Sequence, residues 1–155
     1  VQAVVLRAKL KRLAAWNEQR QAAAARYAEL LAHRDDVRLP TCVDAGSRHV
    51  WHLYAVRVAH RNSTLDLVRN AGIGAGVHYP VPLHLQGAFG SPTTPRGSFP
   101  ESEKAADSVL SLPIYPGITE ANQVRVVEAL CDALDATAGS RPTASSHHAA
   151  THALT

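Results

Sequence analysis

The chain has 155 residues, 46% of them hydrophobic and 19% charged, with a formal net charge of +3. That fits one globular domain with a tail, or two very small units, and excludes a disordered chain. So mild a positive excess does not by itself select nucleic acid or an anionic membrane, and no apolar run approaches the ~18 residues that span a bilayer. Residues 1–33 contain neither Pro nor Gly. Leu6, Leu10 and Leu13, then Ala23, Tyr27, Leu30 and Leu31, follow three- and four-residue spacing, which predicts one long amphipathic helix kinked near Trp16-Asn17. Val37–Pro40 reads as a short extended piece and 44–48 as a turn. His49–Ala59 alternates as a strand, with Val50, His52, Tyr54, Val56 and Val58 on one face and Trp51, Leu53, Ala55 and Arg57 on the other. Asn62-Ser63 opens a helix capped by Ser63, with Leu65, Val68 and Ala71 inward and Gly72 as its left-handed stop. Ile73–Tyr79 reads as a second strand ended by Pro80. Residues 80–100 form a proline-rich loop, long enough to be functional or mobile. A helix then covers Glu101–Val109, Ser111–Pro116 is extended, and Thr119 caps a last helix to about Ala136 with a stripe of Val124, Val127, Cys131 and Leu134.

After Gly139 the chain holds too little apolar content to offset the entropy of ordering. The expected organisation is a long connector helix over 1–33, a small domain over 34–137 and a disordered tail over 138–155. The fold class is α/β (α+β), a small sheet with helices on one face. Cys42 and Cys131 lie far apart, without metal-like spacing, and read as two buried thiols in a reducing compartment. The basic N-terminus lacks the hydrophobic stretch and cleavage site of a signal peptide, so the cytoplasm is expected. The sequence has no Met and opens on Val1 within a helical pattern, as an alternative start codon or a fragment would.

His78-Tyr79-Pro80 is the leading candidate site, at a strand end before the proline-rich loop. Its imidazole and phenol can serve a sugar hydroxyl or a diphosphate, or simply close a strand end. His84 and Gln86 follow in the loop, as a lid or as solvated residues. His52 and Tyr54 read as half-buried members of a core face. His49, His52, His78 and His84 do not make a metal site, because His49 and His52 point to opposite strand faces, and His147, His148 and His152 belong to the tail. Gly72, Gly74 and Gly76 precede no helix start, as a phosphate loop requires. No nucleophile elbow is present, and the basic first helix reads as a solvated face, not a nucleic-acid reader.

Five stretches occur in order: Gln2-Ala3-Val4-Val5-Leu6-Arg7 with Lys9-Leu10 and Leu13; His49-Val50-Trp51-His52-Leu53-Tyr54; Gly72-Ile73 leading to Val77-His78-Tyr79-Pro80 and Pro82-Leu83-His84; Phe99-Pro100-Glu101-Ser102-Glu103; and Leu110-Ser111-Leu112-Pro113-Ile114-Tyr115-Pro116. Together they resemble the C-terminal part of the DegT/DnrJ/StrS family of sugar aminotransferases. The resemblance implies the small domain of a fold-type-I pyridoxal-phosphate (PLP) enzyme. Such an enzyme moves an amino group, usually from glutamate, to a nucleotide-linked keto-sugar, and works as a homodimer. It also implies that His78, Tyr79 and His84 lie near the substrate. The family's lysine-bearing domain would precede Val1, so the chain is expected to bind no PLP and to transfer no amino group alone. The alternative is a stand-alone binding or regulatory module derived from that domain, and a weaker one a basic DNA-associated regulator.

Overall fold

The computed structural model describes residues 1–42, 46–91 and 93–139. The expected tail begins too early, since the last helix runs to Ala138; the rest of it from residue 140, with His147, His148 and His152, lies outside the described residues, as does part of the expected turn at 44–48.

Two helices replace the single long one: α1 (Gln2–Leu10) and α2 (Leu13–Leu30). The break falls at Lys11-Arg12, not at Trp16-Asn17. There the Arg12 amide donates to Lys9 three residues back, and the helix tightens for one turn. The two halves of the leucine stripe have different fates. Ala23, Tyr27 and Leu31 are buried, whereas Leu6, Leu10 and Leu13 are exposed, and α1 buries nothing.

The strands are β1 (Val37–Arg38), β2 (Tyr54–Val58) and β3 (Val109–Leu112), antiparallel in the order β1-β2-β3. Val37 faces Val58, Val56 faces Leu110, and Tyr54 faces Leu112. These six side chains are buried in one core with Ala23, Tyr27, Val68, Val127, Leu130 and Leu134. Alternation sends Arg38, Arg57 and Val109, then Ala55 and Ser111, to the opposite face.

β2 is shorter than the alternating pattern because its partner runs out. β3 ends at Leu112, and Pro113 has no N–H to continue the ladder. Upstream, the Trp51 amide donates to His49 Nδ1 at 2.9 Å, and Trp51 takes a left-handed φ of 50°. Its ring stacks on Tyr54, which stacks on Tyr27. His52 is therefore exposed and not part of a core face, whereas Tyr54 is fully inside it.

The helix α3 (Arg61–Asn70) starts three residues earlier than a Ser63 cap predicts, behind His60 in a left-handed conformation, and Ser63 caps nothing. Leu65 and Val68 are buried and Ala71 is exposed. Gly72 has φ 78°, the expected left-handed stop. The second expected strand shrinks to one bridge, Gly76 with Ser111. Its neighbours are occupied otherwise: the Ala75 carbonyl accepts from Arg69 Nε, and the Ala75 amide turns back to Ile73.

Helix α4 (Pro100–Ser108) opens with proline at its first position and passes straight into β3. Helix α5 (Glu120–Ala138) is capped by the Thr119 hydroxyl, which accepts from the Asn122 amide. Its buried stripe is Gln123, Val126, Val127, Leu130, Ala133, Leu134 and Thr137. Val124 and Cys131 sit at its margin, half-buried, because Gln123 claims the centre. Gln123 Nε2 donates to the Ala23 carbonyl and Gln123 Oε1 accepts from Arg26, joining α5 to α2. Cys131 is half-buried and Cys42 is exposed, so the two do not form the expected pair of buried thiols.

Candidate functional site

The segment after the Gly76 bridge delivers His78 and Tyr79 to the rim of a cavity of about 610 Å³. Val81, Pro82, Leu83 and Gln86 form one wall, and Ser102, Ala105, Ala106 and Val109 from α4 and β3 form the other. The lining is mostly apolar with a few polar groups, as in small-molecule sites. His78 does not swing freely. Its Nδ1 is hydrogen-bonded to Ser111 Oγ at 3.0 Å, and its ring lies over Gly76, where a Cβ would meet Cε1 at 3.1 Å. Tyr79 is 71% exposed and presents its phenol outward.

His84 stands elsewhere. It lies in a single 3-10 turn, Leu83–Leu85, and its Nε2 donates to Glu103 Oε1 at 3.0 Å. Its ring packs on Phe99. His84 thus lines a second, smaller hollow with Leu83, Phe89, Thr94, Phe99 and Ser102, not the one edged by His78 and Tyr79. Gln86 does reach the first cavity, and its side chain donates to the Val81 carbonyl.

Glu103 is the residue that sequence reasoning passed over. It is buried in the first turn of α4 and also accepts from the Gly97 amide at 2.7 Å and the Phe99 amide at 3.4 Å. Burial pushes its carboxyl up, but the Gly97 N–H, the His84 ring and the Phe99 N–H outweigh that and hold it below the usual carboxylate range. Arg96 adds a distant charge at 3.9 Å. Pro100 and the acidic residues after it signal a helix entry, but no local spacing marks Glu103 as the partner of His84.

A pyridoxal group requires a desolvated lysine. The lysines of the sequence are Lys9, Lys11 and Lys104. All three are exposed and none lines either hollow, so the described residues do not fit the Schiff-base role. Among the described residues no three His, Cys, Asp or Glu side chains converge as a metal would need, and no helix is long and apolar enough to cross a membrane.

Comparison with known proteins places the chain. The chain is 42% identical over 134 residues to a pleiotropic regulatory protein of Geobacillus stearothermophilus, covering 85% of this chain and 36% of that one. It is 40% identical over 131 residues to the dTDP-3-amino-3,4,6-trideoxy-alpha-D-glucose transaminase of Streptomyces venezuelae, covering 84% and 34%. Its fold superposes on S. venezuelae DesV in complex with a ketimine intermediate, with a TM-score of 0.79, 39% identity and coverage of 84% of this chain and 35% of that one. The chain therefore spans about a third of the length of the curated relatives it matches. Residues 1–131 match the model of one family, and the chain belongs to that family, the DegT/DnrJ/EryC1/StrS aminotransferases.

Proposed function

We propose that this chain is the C-terminal part of a PLP-dependent aminotransferase that acts on a nucleotide-linked keto-sugar, with glutamate as amino donor. The observation that carries the reading is the cavity edged by His78 and Tyr79 in a chain of this family. In this reading α1 and the start of α2 connect to a large domain, residues 34–137 form the small domain, and the assembled enzyme is a homodimer. The large domain supplies the lysine that binds PLP, and PLP supplies the electron sink for amino transfer. This chain's own residues bind and orient. Tyr79 meets the sugar nucleotide at the cavity mouth, and His78 is held by Ser111 so that its outer edge faces the same space. His84 acts one layer back, through Glu103 on the loop that carries the wall. The facing apolar walls, Val81 and Leu83 on one side and Ala105 on the other, exclude water when the cavity closes.

The test is a chimaera that joins the large domain of the S. venezuelae transaminase to this chain at the matched boundary. It should show the absorbance of lysine-bound PLP and aminate a dTDP-linked keto-sugar. Tyr79→Ala should raise KM about tenfold or more, the loss of one good polar contact. A folded, PLP-loaded chimaera that leaves every keto-sugar nucleotide untouched refutes the proposal. The name of the Geobacillus relative motivates a second reading, a binding or regulatory module. That module would be monodisperse and unfold cooperatively on its own.

A further inference from the structure

The outer face of the sheet carries a row that the site above does not use. Arg38 on β1 stands directly opposite Arg57 on β2, and Arg57 directly opposite Val109 on β3. Cross-strand neighbours of this kind hold their Cβ atoms about 4.5–5.5 Å apart, and like charges so placed destabilise a sheet. Among the described residues neither guanidinium has an ion pair or a hydrogen bond to relieve that repulsion. Both line a hollow of about 300 Å³ with Leu39, Pro40, Thr41, Ala55 and Val109, none of them acidic.

A third arginine contacts the same strand. Arg61 is buried, donates from Nη1 to the Val109 carbonyl at 3.2 Å and from Nε to Asn62 Oδ1, and among the described residues has no carboxylate partner. Arg57 and Arg61 thus meet the same strand residue from two sides, and among the described residues neither has a carboxylate partner. That residue, Val109, also lines the cavity of His78 and Tyr79, so the two hollows share a wall.

We infer that the Arg38–Arg57 pair is an oxyanion-binding site adjoining the His78–Tyr79 cavity. Guanidinium forks suit phosphate and carboxylate oxygens, and two of them suit a doubly charged group. The inference rests on the proposed function for the identity of its ligand. A nucleotide sugar brings a diphosphate and the amino donor brings a carboxylate, and both are oxyanions.

The experiment follows the side-chain Nε–H resonances of the full chain during titration with inorganic pyrophosphate at low salt. A parallel titration uses glutamate at matched ionic strength. Pyrophosphate should shift Arg38 and Arg57 saturably, and R38A and R57A should each weaken binding about tenfold, the loss of one charge-assisted contact. R57K, which keeps the charge but not the fork, should fall between wild type and R57A and covers the case in which R57A does not fold. R12A, an equal charge change on the exposed turn between α1 and α2, should leave binding intact. A saturable response to glutamate alone upholds the pair as an oxyanion site and assigns it the amino donor. No saturable response to either anion, or an equal loss in R12A, overturns the inference. The readout belongs to this chain's arginines, so it stands or falls separately from the activity of the chimaera.

Discussion

At the residue scale, three of the side chains singled out by sequence occupy two hollows, and one omitted carboxylate organises the second. His78 and Tyr79 could be found because a strand-like run ended at a proline. His84 could be found too, but not its partner: Glu103 lies 19 residues on, and the pairing depends on how the proline-rich loop returns to α4. The Glu103 carboxyl is held below its ordinary range by the Gly97 amide, the His84 ring and the Phe99 amide, against the upward push of burial. Its contribution to stability is therefore complete above the unfolded value of about 4.3 and is lost as the pH falls through the depressed folded value. Glu103→Gln should melt at a lower temperature than the wild type at about pH 6, and the gap should narrow by about pH 3. A gap that stays constant across that range means the charge does not anchor the loop.

At the scale of elements, the helices were more legible than the strands. Helix α5 announces itself by a capping threonine and a three- and four-residue stripe, and Thr119 does cap it. The face was misjudged by part of a turn because a fully buried glutamine stands at its centre, and polarity argues against burial in any reading of sequence. Gln123 is buried because both ends of its amide find partners on α2. Gln123→Ala should cost about 2–3 kcal/mol, since it opens a cavity and removes both the side-chain bond to the Ala23 carbonyl and the acceptor of Arg26. Urea unfolding checks this, and a change below about 0.5 kcal/mol would show that the two helices dock without it. The strands were overextended for a different reason. Alternation records which residues can form a ladder, not where the partner stops, and Pro113 and the Ala75 carbonyl set limits that no local pattern contains. Nearby, burial pushes the Tyr54 phenol up to about 12, consistent with its place under the Trp51 and Tyr27 rings.

At the scale of the whole molecule, one apolar stripe has no cover. Leu6, Leu10 and Leu13 are exposed at three- and four-residue spacing along α1 and the start of α2, with Val4 and Val5 exposed off that line. A contiguous apolar surface of this kind seeks a partner. The chain alone should associate with rising concentration in sedimentation velocity, and Leu6→Glu with Leu10→Glu should abolish that while leaving the far-ultraviolet spectrum unchanged. A wild-type chain that stays monomeric at high concentration contradicts this reading. The ordered motifs identified the family. The arginine row could not be seen in advance, because Arg38 and Arg57 become neighbours only through the register of β1 on β2.

The join between α4 and β3 gives the molecule a lever. Ser108 ends the helix and Val109 begins the strand with no residue between them, so there is no slack to absorb a displacement. A tug on the proline-rich loop reaches the near end of α4 through Glu103 and travels along a stiff rod to Val109 at its far end. Because that valine borders both chambers, a shift there is felt in the two at once.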